Sequence, residues 1–210
     1  MPRPAAARSC RANRLWTAFS THLYISRLNR GLLLLLWIGL GLAPAAHASG
    51  FTIRSVSTHL QDKVYQLDAN IDYQFSDSAL EALRNGVPLI ILLDIKVEQE
   101  RSWWLNKTIA ELQQGYLLLY HALTEKYIVN NLNSGAQENY EQLSTALSAL
   151  GKVKDLPILD AHLATSGSRY VVRLRTRLDL ESLPAPMRPL AYISSDWRLE
   201  SNWYQWPLQQ

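Results

Sequence analysis

From Val64 to Phe75 apolar and polar positions alternate without a break, with Tyr65, Leu67, Ala69, Ile71, Tyr73 and Phe75 on one side and Gln66, Asp68, Asn70, Asp72 and Gln74 on the other. Alternation with a period of two predicts a strand buried on one face. Phe51 to Leu60 predicts a weaker strand whose apolar phase slips between Ile53 and Val56, as a bulge would make it. Gln61-Asp62-Lys63 then joins the two strands as a hairpin. Ser78 to Asn85 predicts a short helix, with a serine N-cap, Glu81 three residues on, and Gly86 and Pro88 as stop signals. Leu89 to Arg101 starts apolar on both faces and then alternates, Ile95 and Val97 against Asp94, Lys96, Glu98 and Glu100, which predicts a long strand leaving the core partway.

Tyr116 to Ala122 and Lys126 to Leu132 read as a second hairpin, closed by Asn133-Ser134-Gly135. Tyr140, Leu143, Leu147 and Leu150 recur at helical spacing, so Asn139 to Leu150 predicts an amphipathic helix stopped by Gly151. Arg169 to Leu180 alternates again, Tyr170, Val172, Leu174, Leu178 and Leu180 facing one way and Arg173, Arg175 and Arg177 the other. The prolines between Leu183 and Pro189 predict an extended polyproline II connection. A last strand is expected over Asp196 to Tyr204, before Trp206-Pro207. The expected fold class is mainly β: an antiparallel sandwich-like domain with two short helices, after an N-terminal signal peptide.

The leader changes how composition is read. Arg3, Arg8, Arg11, Arg14, Arg27 and Arg30 precede an apolar run from Gly31 to Leu42, and Ala46-His47-Ala48 offers small residues at the two positions a signal peptidase requires. Residues 1–48 therefore read as a signal peptide cleaved between Ala48 and Ser49, and residues 49–210 as one mostly β domain. The alternative is an uncleaved anchor that would keep the protein at the membrane. Against it, about twelve apolar residues span only roughly 18 Å as helix, short of a ~30 Å hydrocarbon core. A lipid anchor would need a cysteine just after the run, and the single cysteine, Cys10, precedes it.

Removing residues 1–48 takes six of the 21 Lys+Arg and none of the 18 Asp+Glu, which turns the formal charge from +3 to near −3. Nucleic acid is thereby excluded as an expected partner, because the basic excess belongs to the leader. The mature part has no cysteine, hence no disulfide and no thiolate chemistry. Its stability must come from the core.

Three stretches carry a resemblance: Leu83-Arg84-Asn85-Gly86-Val87-Pro88-Leu89, Tyr120-His121-Ala122-Leu123-Thr124-Glu125-Lys126-Tyr127, and Ser195-Asp196-Trp197-Arg198-Leu199 with Ser201, Trp203 and Trp206-Pro207-Leu208. In this order they resemble the bacterial envelope family called domain of unknown function 4390, and the C-terminal tryptophan pattern is the most specific part. The resemblance implies an exported proteobacterial envelope protein. It brings no known activity or catalytic residues, and it points to a membrane protein such as a sensor kinase as partner.

The residues offer little chemistry. His59, His121 and His162 lack HExxH spacing, Ser166-Gly167-Ser168 is not a GxSxG elbow, and no phosphate-cradling glycine loop occurs in the mature part. Glu98 and Glu100 could flank a glycosidic bond, but residues two apart on a strand share a face ~6.6 Å apart by geometry alone. No catalytic, cofactor or metal site is expected, and the protein is not expected to be an enzyme.

The candidate binding surface is Arg173, Arg175 and Arg177, together with Trp103, Trp104, Trp197, Trp203 and Trp206. The arginines could hold phosphate, lipid headgroups or an acidic partner, against cross-strand pairing with Asp68, Asp72, Asp94 or Glu98. The tryptophans could stack on sugar or anchor a protein, against plain core packing. The proline stretch could dock in a partner's groove, against serving as a stiff connection. The expected function is a non-enzymatic binding or interaction module of the periplasm, serving a membrane or envelope protein; the alternative is an envelope lipid- or glycan-binding protein.

Overall fold

A computed structural model describes residues 50–101, 105–165 and 167–208. Trp103, Trp104 and the cleavage positions Ala48 and Ser49 lie outside the described residues.

The two alternating runs form β1 (Gly50–Gln61) and β2 (Val64–Gln74), paired antiparallel, with a register shift between Ile53 and Ser55 where the apolar phase slips. Asp62 and Lys63 turn the hairpin at positive φ. β7 (Lys152–Asp160), not anticipated from the sequence, pairs with β2 and completes a three-stranded sheet of order β1-β2-β7.

The second sheet is built on β3 (Leu89–Gln99). On one side it pairs with β4 (Lys107–His121), which pairs with β5 (Lys126–Asn131) and through it with β6 (Gln137–Tyr140). On the other side β3 pairs with β8 (Tyr170–Leu178), and β8 with β9 (Tyr204–Pro207). All pairings are antiparallel, and the order is β6-β5-β4-β3-β8-β9. The fold is thus the expected mainly β, two-sheet antiparallel arrangement.

The inner faces of the two sheets supply one core. Phe51, Leu67, Ile71 and Tyr73 from the first sheet meet Ile91, Leu93, Ile95, Val172 and Leu174 from the second, all buried. A hydrogen bond of 3.3 Å between the Tyr73 hydroxyl and Thr176 Oγ1 crosses this core, and burial pushes the Tyr73 hydroxyl well above its ordinary pKa.

Helix α1 (Asp77–Arg84) buries Ala79, Ala82 and Leu83. Its N-cap is Ser76, whose Oγ accepts from Ala79 N at 3.3 Å, and not the expected Ser78. Ser78 instead donates to Asp196 Oδ2 at 2.9 Å. Helix α2 (Leu143–Leu150) takes only the last eight residues of the helix expected from Asn139, because Gln137–Tyr140 pairs with the edge of β5.

The proline stretch also departs from expectation. Pro184 to Met187 makes a turn closed by Met187 N to Pro184 O at 2.9 Å, and Pro189 opens a third short helix, α3 (Arg188–Ile193), in place of a polyproline II run. A proline in the first turn of a helix removes only an N–H that has no intrahelical partner. The strand expected from Asp196 begins later, at Tyr204, since Ser195–Trp197 forms a 3₁₀ turn whose Asp196 backbone oxygen accepts from Ser76 Oγ at 2.7 Å.

Candidate functional site

Arg173, Arg175 and Arg177 leave the outer face of β8, because Val172, Leu174 and Thr176 between them point into the core. The register sets Arg175 opposite Asp94, Arg177 opposite Leu92 and Arg173 opposite Lys96 on β3. Each arginine then reaches a carboxylate along the strand. Arg175 Nη2 and Arg177 Nε both donate to Asp94 Oδ2 at 3.0 Å, and Arg173 Nη1 donates to Glu98 Oε1 at 3.3 Å. Asp94 Oδ1 accepts from Gln113 Nε2 at 2.8 Å, and Lys96 pairs with Glu111 of β4 at 2.8 Å. Of the four carboxylates weighed for this pairing, Asp94 and Glu98 are the partners. Asp68 and Asp72 lie on the other sheet and pair with His59 and Arg54.

Burial opposes ionisation of Asp94, but the donors Gln113, Arg175 and Arg177 together outweigh it and hold its carboxyl below the ordinary value. Four cations, Lys96, Arg173, Arg175 and Arg177, thus stand among four anions, Asp94, Glu98, Glu111 and Glu200. A face compensated in this way does not offer three free guanidinium groups to an incoming oxyanion.

Trp203 reaches this face through a bulge. Ser201 N bonds to Thr176 O and Tyr204 pairs with Leu174, so both Asn202 and Trp203 stand against Arg175 alone. The extra residue turns the strand, and the indole lies 4.8 Å from Arg175 and 5.0 Å from Arg173, ring centroid to guanidinium carbon. It caps the arginines. Trp197 is buried in the core, and Trp206 is half-buried at the edge, 6.1 Å from the Tyr204 ring. The three described tryptophans of the candidate surface therefore do not form one stacking platform. Glu98 and Glu100 are likewise engaged separately, Glu98 with Arg173 and Glu100 with Arg169.

A cleft of about 440 Å³ opens where the arginine row ends, bordered by Arg177, Glu181, Tyr192, Arg198 and Glu200. Beside it α3 carries Leu190, Tyr192 and Ile193, which are 62%, 55% and 81% exposed. Sequence reasoning missed this feature because the proline-rich composition masked a helix, and the apolar triplet became an exposed cluster only once that helix formed.

Fold and site together describe a β-sandwich protein with an internally paired polar face and a cleft with an exposed apolar shoulder. The chain belongs to the family described as domain of unknown function (DUF4390), whose model matches residues 48–207. No curated protein and no solved structure matches the chain.

Proposed function

We propose that the domain is a non-enzymatic interaction module, exported to the periplasm, that engages a membrane or envelope protein through the cleft beside α3. The observation that carries this reading is the exposure of Leu190, Tyr192 and Ile193 on one short helix next to a cleft of about 440 Å³. Apolar side chains held out to water beside a concavity match the anatomy of a docking site. The cleft border mixes Arg177 and Arg198 with Glu181 and Glu200, which suits the alternating donors and acceptors of a polypeptide better than a single anionic headgroup. The run from Gly31 to Leu42 and the alanines around His47 support export.

The non-enzymatic reading rests on the sequence, in which His59, His121 and His162 lack HExxH spacing and Ser166-Gly167-Ser168 is not a nucleophile elbow.

The test is in-cell photocrosslinking from position 193, with position 54 on the other sheet as control, followed by mass spectrometry. One envelope membrane protein captured from position 193 alone, and lost in a Leu190→Asp variant, is the expected result. Capture of lipid or glycan in place of protein would move the function to the envelope-ligand alternative.

A further inference from the structure

The outer face of the three-stranded sheet gathers three metal-ligating side chains that are far apart in the sequence. His59 comes from β1, Asp68 from β2 and Asp155 from β7. The register puts Ser57 opposite Asp68, so His59 lies one step along the same face, diagonal to that carboxylate. Asp155 joins through an irregularity in β7. Leu67 pairs with Leu156 and Ala69 with Val153, so both Lys154 and Asp155 stand against Asp68. A regular strand would place only one residue there. Asp155 takes φ of 50°, its N–H donates to Asp68 Oδ1 at 3.0 Å, and its carboxylate comes to 3.6 Å from His59 Nε2. His59 Nδ1 is 3.2 Å from Asp68 Oδ2.

Two carboxylates are thus held together, and among the described residues no lysine or arginine lies within ion-pairing distance of either, the imidazole being the one chargeable group that does. One donor atom from each of the three side chains lies within 4.8 Å of the others. Tetrahedral coordination at ~2.1 Å bonds needs donors roughly 3.4 Å apart, and the three side chains are exposed enough, at 40%, 38% and 69%, to close that gap by rotation.

We propose that His59, Asp68 and Asp155 form a surface site for a divalent transition ion of the zinc class. One imidazole nitrogen and two carboxylate oxygens are a borderline donor set, favouring zinc over calcium or magnesium, which prefer all-oxygen shells. Three protein ligands leave a fourth position to water or to a donor from another molecule. Because the ligands come from all three strands of the sheet, including both edges β1 and β7, the ion would fasten the sheet across its width.

The test is calorimetric titration of the purified full chain with zinc chloride, and with calcium chloride in parallel, for the wild type, His59→Ala and Asp155→Asn. Circular dichroism verifies that each variant is folded; the substituted side chains are surface groups outside the core. The expected result is one zinc-binding event in the wild type that both variants lose, accompanied by a rise in Tm with zinc in the wild type alone. Three results would overturn the proposal: no such event, an event that persists unchanged in both variants and so belongs to other histidines, or a calcium event that survives His59→Ala.

Discussion

Asp94 is the residue on which the polar face depends. It accepts from Gln113, Arg175 and Arg177 at 2.8, 3.0 and 3.0 Å, and its side chain is only 14% exposed, so removing its charge strands two guanidinium groups beside each other. Asp94→Asn is expected to lower stability by roughly 1–3 kcal/mol, read from urea unfolding at neutral pH. Its pKa is depressed in the fold, so the stability it contributes is complete above the unfolded-state value of about 3.9 and is lost as pH falls through the lower folded-state value. The asparagine variant should lack that part of the acid dependence, and the two unfolding curves should converge as pH falls through the folded-state value. Trp203→Ala is expected to cost about 1–2 kcal/mol through the lost cation–π contact with Arg173 and Arg175. If glycan binding were lost with stability unchanged, the indole would be a ligand platform and not a cap.

At the scale of elements, the packing of α2 against β2 turns on one glycine. Gly151 ends α2, its carbonyl accepts from Ile71 N at 2.8 Å, and a Cβ there would run into the carbonyl oxygen of Ile71. Gly151→Ala should therefore destabilise the domain by about 1–3 kcal/mol, seen as a lower urea midpoint at unchanged slope. The bulge that carries Trp203 and the irregularity that carries Asp155 are devices of the same kind. Each inserts an extra residue opposite a single partner and re-aims a side chain onto an outer face.

For the whole molecule, the proposal of export makes a direct prediction. In cells the protein should be recovered from the periplasmic fraction with Ser49 as its first residue, as read by N-terminal sequencing. Ala48→Leu, which fills the small-residue position at the cleavage site, should leave the unprocessed chain at the membrane. Recovery of soluble protein that still carries residues 1–48 would contradict both the leader and the compartment.

The alternation of Val64–Phe75, Leu89–Arg101 and Arg169–Leu180 was enough to establish a mainly β fold, because a face that must be buried writes its period directly into the chain. The arginine row was also legible, since residues two apart on a strand share a face whatever the partner strand, but which of the four weighed carboxylates faced it was decided by the pairing of β3 with β8. β7 was not legible: Lys152–Asp160 contains Pro157 and a bulge, and it becomes a strand because β2 offers it an edge. Asn139 and Tyr140 joined β6 because the edge of β5 needed a partner, although their spacing was helical. The meeting of His59 with Asp155, and of α3 with its cleft, depended on pairings between distant segments. The sequence by itself determined the local period, the charge balance and the leader pattern. Strand order, bulge positions and the grouping of distant side chains were decided only in the tertiary structure, where each edge, carboxylate and apolar face had to find a partner among all those the fold brought within reach.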